Sequence, residues 1–174
     1  MTAKVWKSAV KLSINIEGGL SLDPDDRGNW TGGKKGVGEL KGTNCGISAA
    51  AFPHEDIANM TPEHAKELYK RYYWDKNKCD YLPDWASIAV FDFSINSGVI
   101  PAAKVFQTAL GVKADGIIGN QTIGAANRIP PRQVLKDYMD LRIDYMQKSP
   151  MWWKYKNGWT DRVQKIRKFC EELI

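Results

Sequence analysis

The glycine-rich stretch between residues 20 and 48 constrains the fold more than any other part of the chain. It holds seven of the fifteen glycines, interspersed with Asp, Asn and Thr, and includes Trp-Thr-Gly-Gly-Lys-Lys-Gly-Val-Gly over residues 30–38. Glycines at this density interrupt helices and favour turns and short strands. Because helical periodicity returns on both sides, we expect a mostly helical α+β fold with one small β-hairpin region near residues 20–48.

The apolar residues before this stretch recur at the spacing of one helix face. They predict an amphipathic helix over residues 3–16 that stops at Gly18. Thr61 followed by Pro62 is a typical helix start, with the threonine as N-cap and the proline at the first position. The same criteria predict helices at residues 48–52, 63–76, 83–95, 101–110, 132–148 and 161–173, with a further helix after the glycine-punctuated turn at 111–122.

The net charge is +5, and the whole excess lies in the C-terminal region. From Arg128 onward, eleven Lys and Arg residues face six Asp and Glu residues. A basic region implies an anionic partner, and charge alone leaves nucleic acid, a membrane surface and a cell-wall polymer open. Nucleic acid is disfavoured because the sequence contains no nucleic-acid recognition motif.

The three cysteines are odd in number and widely separated, which argues against a disulfide framework and predicts free thiols made in a reducing compartment. The two histidines offer no zinc-binding spacing. The first residues are basic but continue as the amphipathic helix, so we expect no signal peptide. No apolar run approaches the ~18 residues of a membrane span.

Two carboxylates flank the start of the glycine-rich stretch. Glu17 follows the predicted helix and precedes Gly18 and Gly19, and Asp26 lies in a loop nine residues later. Glycosidic-bond hydrolysis uses such a pair, one acid to protonate the leaving oxygen and one carboxylate to serve water or positive charge. At a helix end, partial burial and the helix dipole would raise the pKa of Glu17. The alternatives are a solvated helix-end acid with a glycine cap, and a turn-forming aspartate.

Hydroxyl groups and aromatic rings supply further candidates. Thr31 and Thr43 can position a catalytic water, although turn hydroxyls of this kind are common. Trp30 and Tyr73 can stack on sugar rings, although aromatic side chains at helical spacing are more often part of a core. Asn96 is an additional substrate-binding candidate.

Five short motifs occur in order around these candidates. They are Glu-Gly-Gly at 17–19, Asp-Pro at 23–24, the acid at 26, Gly-Asn-Trp-Thr-Gly-Gly at 28–33 and Gly-Thr-Asn-Cys-Gly-Ile-Ser at 42–48. This order resembles glycoside hydrolase family 108, whose members are phage and prophage endolysins. They act as N-acetylmuramidases on the β-1,4 bond between N-acetylmuramic acid and N-acetylglucosamine. The resemblance implies a lysozyme-like fold, Glu17 as the catalytic acid, and supporting roles for Asp26 and Thr43.

The chain departs from the family pattern at Leu20, Cys45 and Ser48, where the family usually has an aromatic residue, a tyrosine and a threonine. An insertion over residues 33–41 separates the two parts of the predicted site. The identity of the hydroxyl that meets the catalytic water therefore stays open between residues 31 and 43. Resemblance to phage-type lysozymes favours inversion, with carboxyl groups about 6.5–9.5 Å apart.

A second motif lies downstream. Residues 109–122 contain Asp-Gly-x-x-Gly-x-x-Thr and resemble the predicted peptidoglycan-binding module at the C-terminus of these endolysins. We therefore expect a muramidase catalytic region over residues 1–96 and a helical C-terminal region over 97–174, packed as one compact unit. We also expect peptidoglycan as the partner, a monomer, and no metal or organic cofactor.

The basic, tryptophan-rich end, residues 151–174, is a separate feature. It predicts contact with anionic outer-membrane lipid, and a solvated basic face on a packed helix is the alternative. Since no signal peptide is expected, the resemblance implies synthesis in the host cytoplasm and holin-type release to periplasmic peptidoglycan. Two other functions stay open, namely a lytic transglycosylase, which also uses one Glu, and a non-catalytic wall-binding protein.

Overall fold

A computed structural model describes residues 3–16 and 18–174. The chain divides into two compact units. The smaller unit contains residues 14–70, and the larger unit contains residues 71–174 together with the N-terminal segment up to Ser13. Within the described ranges, no helix is both long and apolar enough to cross a membrane.

The smaller unit contains the β structure expected in the glycine-rich stretch. Strand β1 (Thr43–Asn44) pairs with strand β2 (Ile47–Ser48) in an antiparallel hairpin. The two connecting residues, Cys45 and Gly46, have positive φ angles of 51° and 78°, as a two-residue type I′ hairpin turn requires. Two isolated bridges extend the pairing toward the start of the stretch. The prediction of one small β-hairpin region in a mostly helical chain is confirmed.

Helix α2 (Pro62–Tyr69) begins where the sequence predicts. The hydroxyl of Thr61 accepts a hydrogen bond from the backbone N–H of His64 at 3.2 Å, which confirms the threonine as N-cap. The chain then widens into a π-helical turn, Lys70–Trp74, instead of continuing as an α-helix. The helix predicted over residues 48–52 is wrong, because β2 takes its first residue into the hairpin and a turn follows.

Six α-helices form the larger unit as far as the structure describes it. They are α1 (Ala3–Ser13), α3 (Asp84–Ser97), α4 (Val99–Ala109), α5 (Asn120–Arg128), α6 (Pro131–Gln147) and α7 (Trp152–Glu171). Every residue of α3 from Trp85 to Ser94 is buried, and α1, α4 and α7 pack against it, so α3 is the central core helix. Gly98, with φ of 99°, ends it. All three cysteines are free and buried, which confirms the prediction of structural thiols.

Besides α2, two helix boundaries differ from the prediction by three residues or more. Helix α1 ends at Ser13 rather than at residue 16, and the carbonyl of Ser13 accepts a hydrogen bond from the Arg162 guanidinium at 2.9 Å. This tertiary contact satisfies one of the carbonyl groups that a helix end leaves without a partner. Helix α7 begins at Trp152 rather than at Asp161, because aromatic rings spaced along its first turns contact one another.

A buried ion cluster joins the helices of the larger unit. The carboxylate of Asp92 on α3 is fully buried and contacts Arg142 of α6 at 2.6 Å and Arg162 of α7 at 2.8 Å. Arg162 binds both carboxylate oxygens, whereas Arg142 has the distance of an ion pair without hydrogen-bond geometry to any described residue. Burial raises the pKa of Asp92, but the two guanidinium groups outweigh burial and hold that pKa below its ordinary value.

Replacing Asp92 by Asn should lower the free energy of unfolding by about 3–5 kcal/mol, because the buried Arg142 and the half-buried Arg162 lose their counter-charge. The control Asp140→Asn removes a half-exposed carboxylate that pairs with Arg167 between α6 and α7. Its loss should cost about 1 kcal/mol or less. Urea unfolding followed by circular dichroism measures both variants, and equal losses would contradict this role for Asp92.

Candidate active site

Asp26 lies on the loop that precedes the hairpin, at the start of a short 3₁₀ turn, Arg27–Asn29. Its Oδ1 atom accepts a hydrogen bond from the backbone N–H of Gly28 at 2.8 Å. The residue is exposed, so this cap orients the carboxylate without burying it. An oriented and accessible carboxylate is what the second group of a glycosidase requires.

Asn29 is fully buried in the same loop and ties the loop to the hairpin. Its side-chain NH₂ donates to the carbonyl of Asp23 at 2.9 Å, and its side-chain oxygen accepts from the hydroxyl of Thr43 at 2.7 Å. Its backbone N–H donates to the carbonyl of Asp26 at 3.1 Å, and its carbonyl accepts from both N–H groups of residues 41–42 at 3.0 Å. Asn29 therefore holds Asp26 and Thr43 on one framework.

Of the two candidate hydroxyls, Thr43 is the one linked to Asp26 through Asn29. Because its proton is donated to Asn29, the Thr43 oxygen acts as an acceptor toward any further partner, such as a water molecule. The hydroxyl of Thr31 instead accepts a hydrogen bond from the backbone N–H of Glu39 at 2.9 Å. Thr31 thus holds the insertion in place, and its predicted contact with substrate has no support from these bonds.

The other predicted substrate-binding residues are divided between the two units. Trp30 is half-buried in the smaller unit, and its indole N–H donates to the carbonyl of Pro24 at 2.9 Å. Tyr73 is half-buried in the π-helical turn, a type of structure common at functional sites, and burial raises the pKa of its hydroxyl. Asn96 is half-buried near the end of α3, where its side-chain oxygen accepts from the Ser97 hydroxyl at 3.2 Å. Substrate contact by these three residues remains a prediction.

Glu17, the predicted acid, lies outside the described residues. Its distance from Asp26 and its role as proton donor therefore remain predictions. Helix α1 ends at Ser13, so the prediction that this helix continues to residue 16 is wrong.

The two glycines that follow the predicted acid have different roles. Gly18 donates to the carbonyl of Asn15 at 3.1 Å and accepts from the N–H of Cys45 at 3.0 Å, so it is tied to the hairpin turn. A Cβ atom at Gly18 would meet the Asn15 side chain at 2.6 Å, whereas one at Gly19 would meet nothing within 4 Å. A side chain at position 18 would therefore displace the Asn15 amide, whereas position 19 leaves open space.

The sequence analysis missed Asn29 as a site residue, although it lies inside the Gly-Asn-Trp-Thr-Gly-Gly motif. The available signal was a short amide side chain in a glycine-rich loop. Such a side chain can donate and accept at once, and a buried loop needs partners for its backbone groups. Asn29 becomes buried, however, only when the hairpin packs against its loop, and no local sequence pattern predicts that contact.

A mostly helical fold that carries one small antiparallel hairpin beside an acidic loop is lysozyme-like. The family model of Glycosyl hydrolase 108 matches residues 10–98 of the chain, and the model described as Predicted Peptidoglycan domain matches residues 101–164. The chain belongs to the glycosyl hydrolase 108 family. It is therefore a glycoside hydrolase that acts on peptidoglycan, and peptidoglycan is its partner.

Among solved structures, the chain is similar to the structure of SagA from Brucella abortus. The two share 25% sequence identity with a TM-score of 0.80, over 99% of this chain and 97% of that chain. The similarity thus spans both the hydrolase match and the peptidoglycan match. No curated protein matches the chain.

Asn29→Ala should lower the free energy of unfolding by about 2–3 kcal/mol, because buried partners in two segments lose their hydrogen bonds. Hydrolysis of peptidoglycan should fall by about tenfold or more, since Asp26 and Thr43 lose their common support. Chemical unfolding and release of soluble wall fragments measure the two effects.

The control for this experiment is Asn127→Ala, which truncates an exposed asparagine of α5. It should change the free energy of unfolding by less than about 0.5 kcal/mol. An Asn29→Ala variant as stable and as active as this control would show that the loop does not depend on Asn29.

Proposed function

We propose that this peptidoglycan hydrolase is an N-acetylmuramidase, a lysozyme that cleaves the β-1,4 bond between N-acetylmuramic acid and N-acetylglucosamine. The observation that carries the proposal is the support that Asn29 gives to Asp26 and Thr43. It places an accessible carboxylate and a water-accepting hydroxyl on one rigid framework. The order of the motifs supports Glu17 as the catalytic acid.

In the proposed reaction, Glu17 donates its proton to the glycosidic oxygen, which leaves as the 4-hydroxyl of N-acetylglucosamine. The bond from that oxygen to C1 of N-acetylmuramic acid breaks, and positive charge develops on the sugar ring. Water attacks C1 and gives its proton to the carboxylate of Asp26. Thr43 accepts a hydrogen bond from that water, which aims the water oxygen at C1.

This scheme is inverting, because water attacks directly from the face opposite the leaving group. It requires a carboxyl separation of about 6.5–9.5 Å between Glu17 and Asp26, since the water lies between them. A separation near 5 Å would instead indicate a covalent intermediate. The exposure of Asp26 on its loop supports the inverting scheme, because water reaches this carboxylate.

The proposal also covers the biological setting. We assign catalysis to the region over residues 1–96 and wall binding to the region over 97–174. The motif order resembles phage and prophage endolysins, so we place the enzyme in wall lysis, as a monomer that reaches periplasmic peptidoglycan after holin-type release. A lytic transglycosylase is the alternative reaction, since it also needs one Glu but uses an intramolecular hydroxyl instead of water.

Digestion of purified peptidoglycan in heavy-oxygen water should give muropeptides that end in reducing N-acetylmuramic acid and carry the heavy oxygen at C1. Mass spectrometry of the products measures this directly. Glu17→Gln should reduce the rate by about 10²–10⁴-fold, the usual contribution of general acid catalysis. Unlabelled 1,6-anhydro products would identify a transglycosylase. A wild-type chain without any activity would instead indicate a non-catalytic wall-binding protein.

Thr43→Val should reduce turnover by about tenfold or more, because the attacking water loses its acceptor. Thr31→Val is the matched control, since it makes the same change at the hydroxyl that binds Glu39. The control should lose only about 1 kcal/mol of stability and keep most of its turnover. Steady-state digestion of soluble peptidoglycan measures both, and a larger loss in the Thr31 variant would reverse the assignment.

A further inference from the structure

The first turns of α7 carry three aromatic rings in a row, here named the aromatic ladder: Trp152, Tyr155 and Trp159. The rings of Tyr155 and Trp159 stack with centroids 5.7 Å apart and an interplanar angle of 27°. The ring of Trp152 lies 6.1 Å from that of Trp159, tilted by 46°. The ladder therefore forms an ordered surface rather than a set of separate side chains.

The ladder continues the stripe by which α7 packs on the larger unit. At helical spacing beyond Trp159, the side chains of Val163, Ile166 and Cys170 are fully buried. On the ladder the same stripe reaches the surface, where Tyr155 is 43% exposed and both tryptophans are half-buried. Contiguous exposed aromatic surface of this kind marks an interaction site.

The packing of α7 argues against a membrane as the occupant. Arg162 is bound to Asp92 and Arg167 to Asp140, so two of its cationic groups already serve ion pairs within the unit. A helix that lies in a bilayer interface inserts its whole apolar face. Here the second half of that face is buried in the core, so α7 would have to leave the unit in order to insert.

A glycan strand fits the ladder better. One face of a pyranose ring presents C–H groups that stack on aromatic rings, while the indole N–H and phenol O–H can bond to sugar hydroxyls. The ammonium of Lys154 lies over the Tyr155 ring, 5.2 Å from its centroid, and Lys156 is exposed on the same helix. Both lysines complement the carboxylates of peptidoglycan stem peptides.

Two further observations connect the ladder with the substrate. The peptidoglycan match, residues 101–164, includes all three rings. One turn beyond Trp159, Arg162 donates to the carbonyl of Ser13, the last residue of α1. Arg162 thus holds this part of α7 against the end of α1.

We propose that the aromatic ladder is a glycan-binding subsite that holds sugar rings of the peptidoglycan strand. This inference rests on the proposed function, because it requires peptidoglycan as the substrate. The ladder would bind the strand by stacking and would contribute to affinity for the wall rather than to bond cleavage.

The test measures binding of the full chain to purified insoluble peptidoglycan by co-sedimentation, in the Glu17→Gln background so that the wall is not digested. Tyr155→Ala and Trp159→Ala remove ladder rings. Trp159→Phe keeps an aromatic ring at that position. Trp153→Ala is the matched control, because Trp153 is on the same helix and 74% exposed but lies outside the ladder.

The Tyr155→Ala/Trp159→Ala double variant should bind the wall about tenfold more weakly, equivalent to about 1.4 kcal/mol. The control and Trp159→Phe should stay within about twofold of the parent. Thermal unfolding checks that each variant is folded. If the double variant unfolds early, the single variant Tyr155→Ala, at the most exposed ring, decides the question with a smaller loss.

Equal binding by the ladder variants and the parent would overturn the subsite and leave the proposed muramidase activity intact. Failure of the wild-type chain to digest peptidoglycan would instead overturn the proposed function. Binding of the same variants to vesicles of phosphatidylglycerol and phosphatidylethanolamine is measured as well. Ladder-dependent binding to these vesicles, with unchanged binding to the wall, would assign the ladder to anionic lipid and overturn the glycan subsite.

Discussion

The buried carboxylate of Asp92 is the interaction on which the larger unit depends. One acid on α3 draws an arginine from α6 and another from α7 into a region closed to water, where an unpaired charge would be strongly unfavourable. Arg162 also binds the carbonyl of Ser13, so the same cluster determines where α1 ends. It thereby holds α7, whose first turns carry the aromatic ladder, against α1 and α3.

The smaller unit is held together by buried hydrogen bonds between neutral groups. Its loop is rich in glycine, and ordering such a chain has a large entropic cost. The buried amide of Asn29 offsets part of that cost, because a single side chain donates to Asp23 and accepts from Thr43. No charge is buried in this network, so the carboxylate of Asp26 stays at the surface. A rigid scaffold and an accessible acid are thus obtained together.

The features predicted correctly from the sequence are those set by near neighbours. The N-cap at Thr61 and the hairpin within residues 20–48 each involve residues within a few positions of one another. The features missed are those set across the fold. The end of α1 and the role of Asn29 both follow from contacts between separate segments.

The sequence alone determined the α+β class, the free thiols and the order of motifs that places the chain among glycosyl hydrolases acting on peptidoglycan. Composition, periodicity and short motifs are properties of the sequence itself, so they can be identified without a structure. Only the tertiary structure decided which hydroxyl joins Asp26 and which aromatic rings stay at the surface. Those outcomes depend on pairs such as Arg162 and Ser13, which are 149 positions apart and meet only when the helices pack.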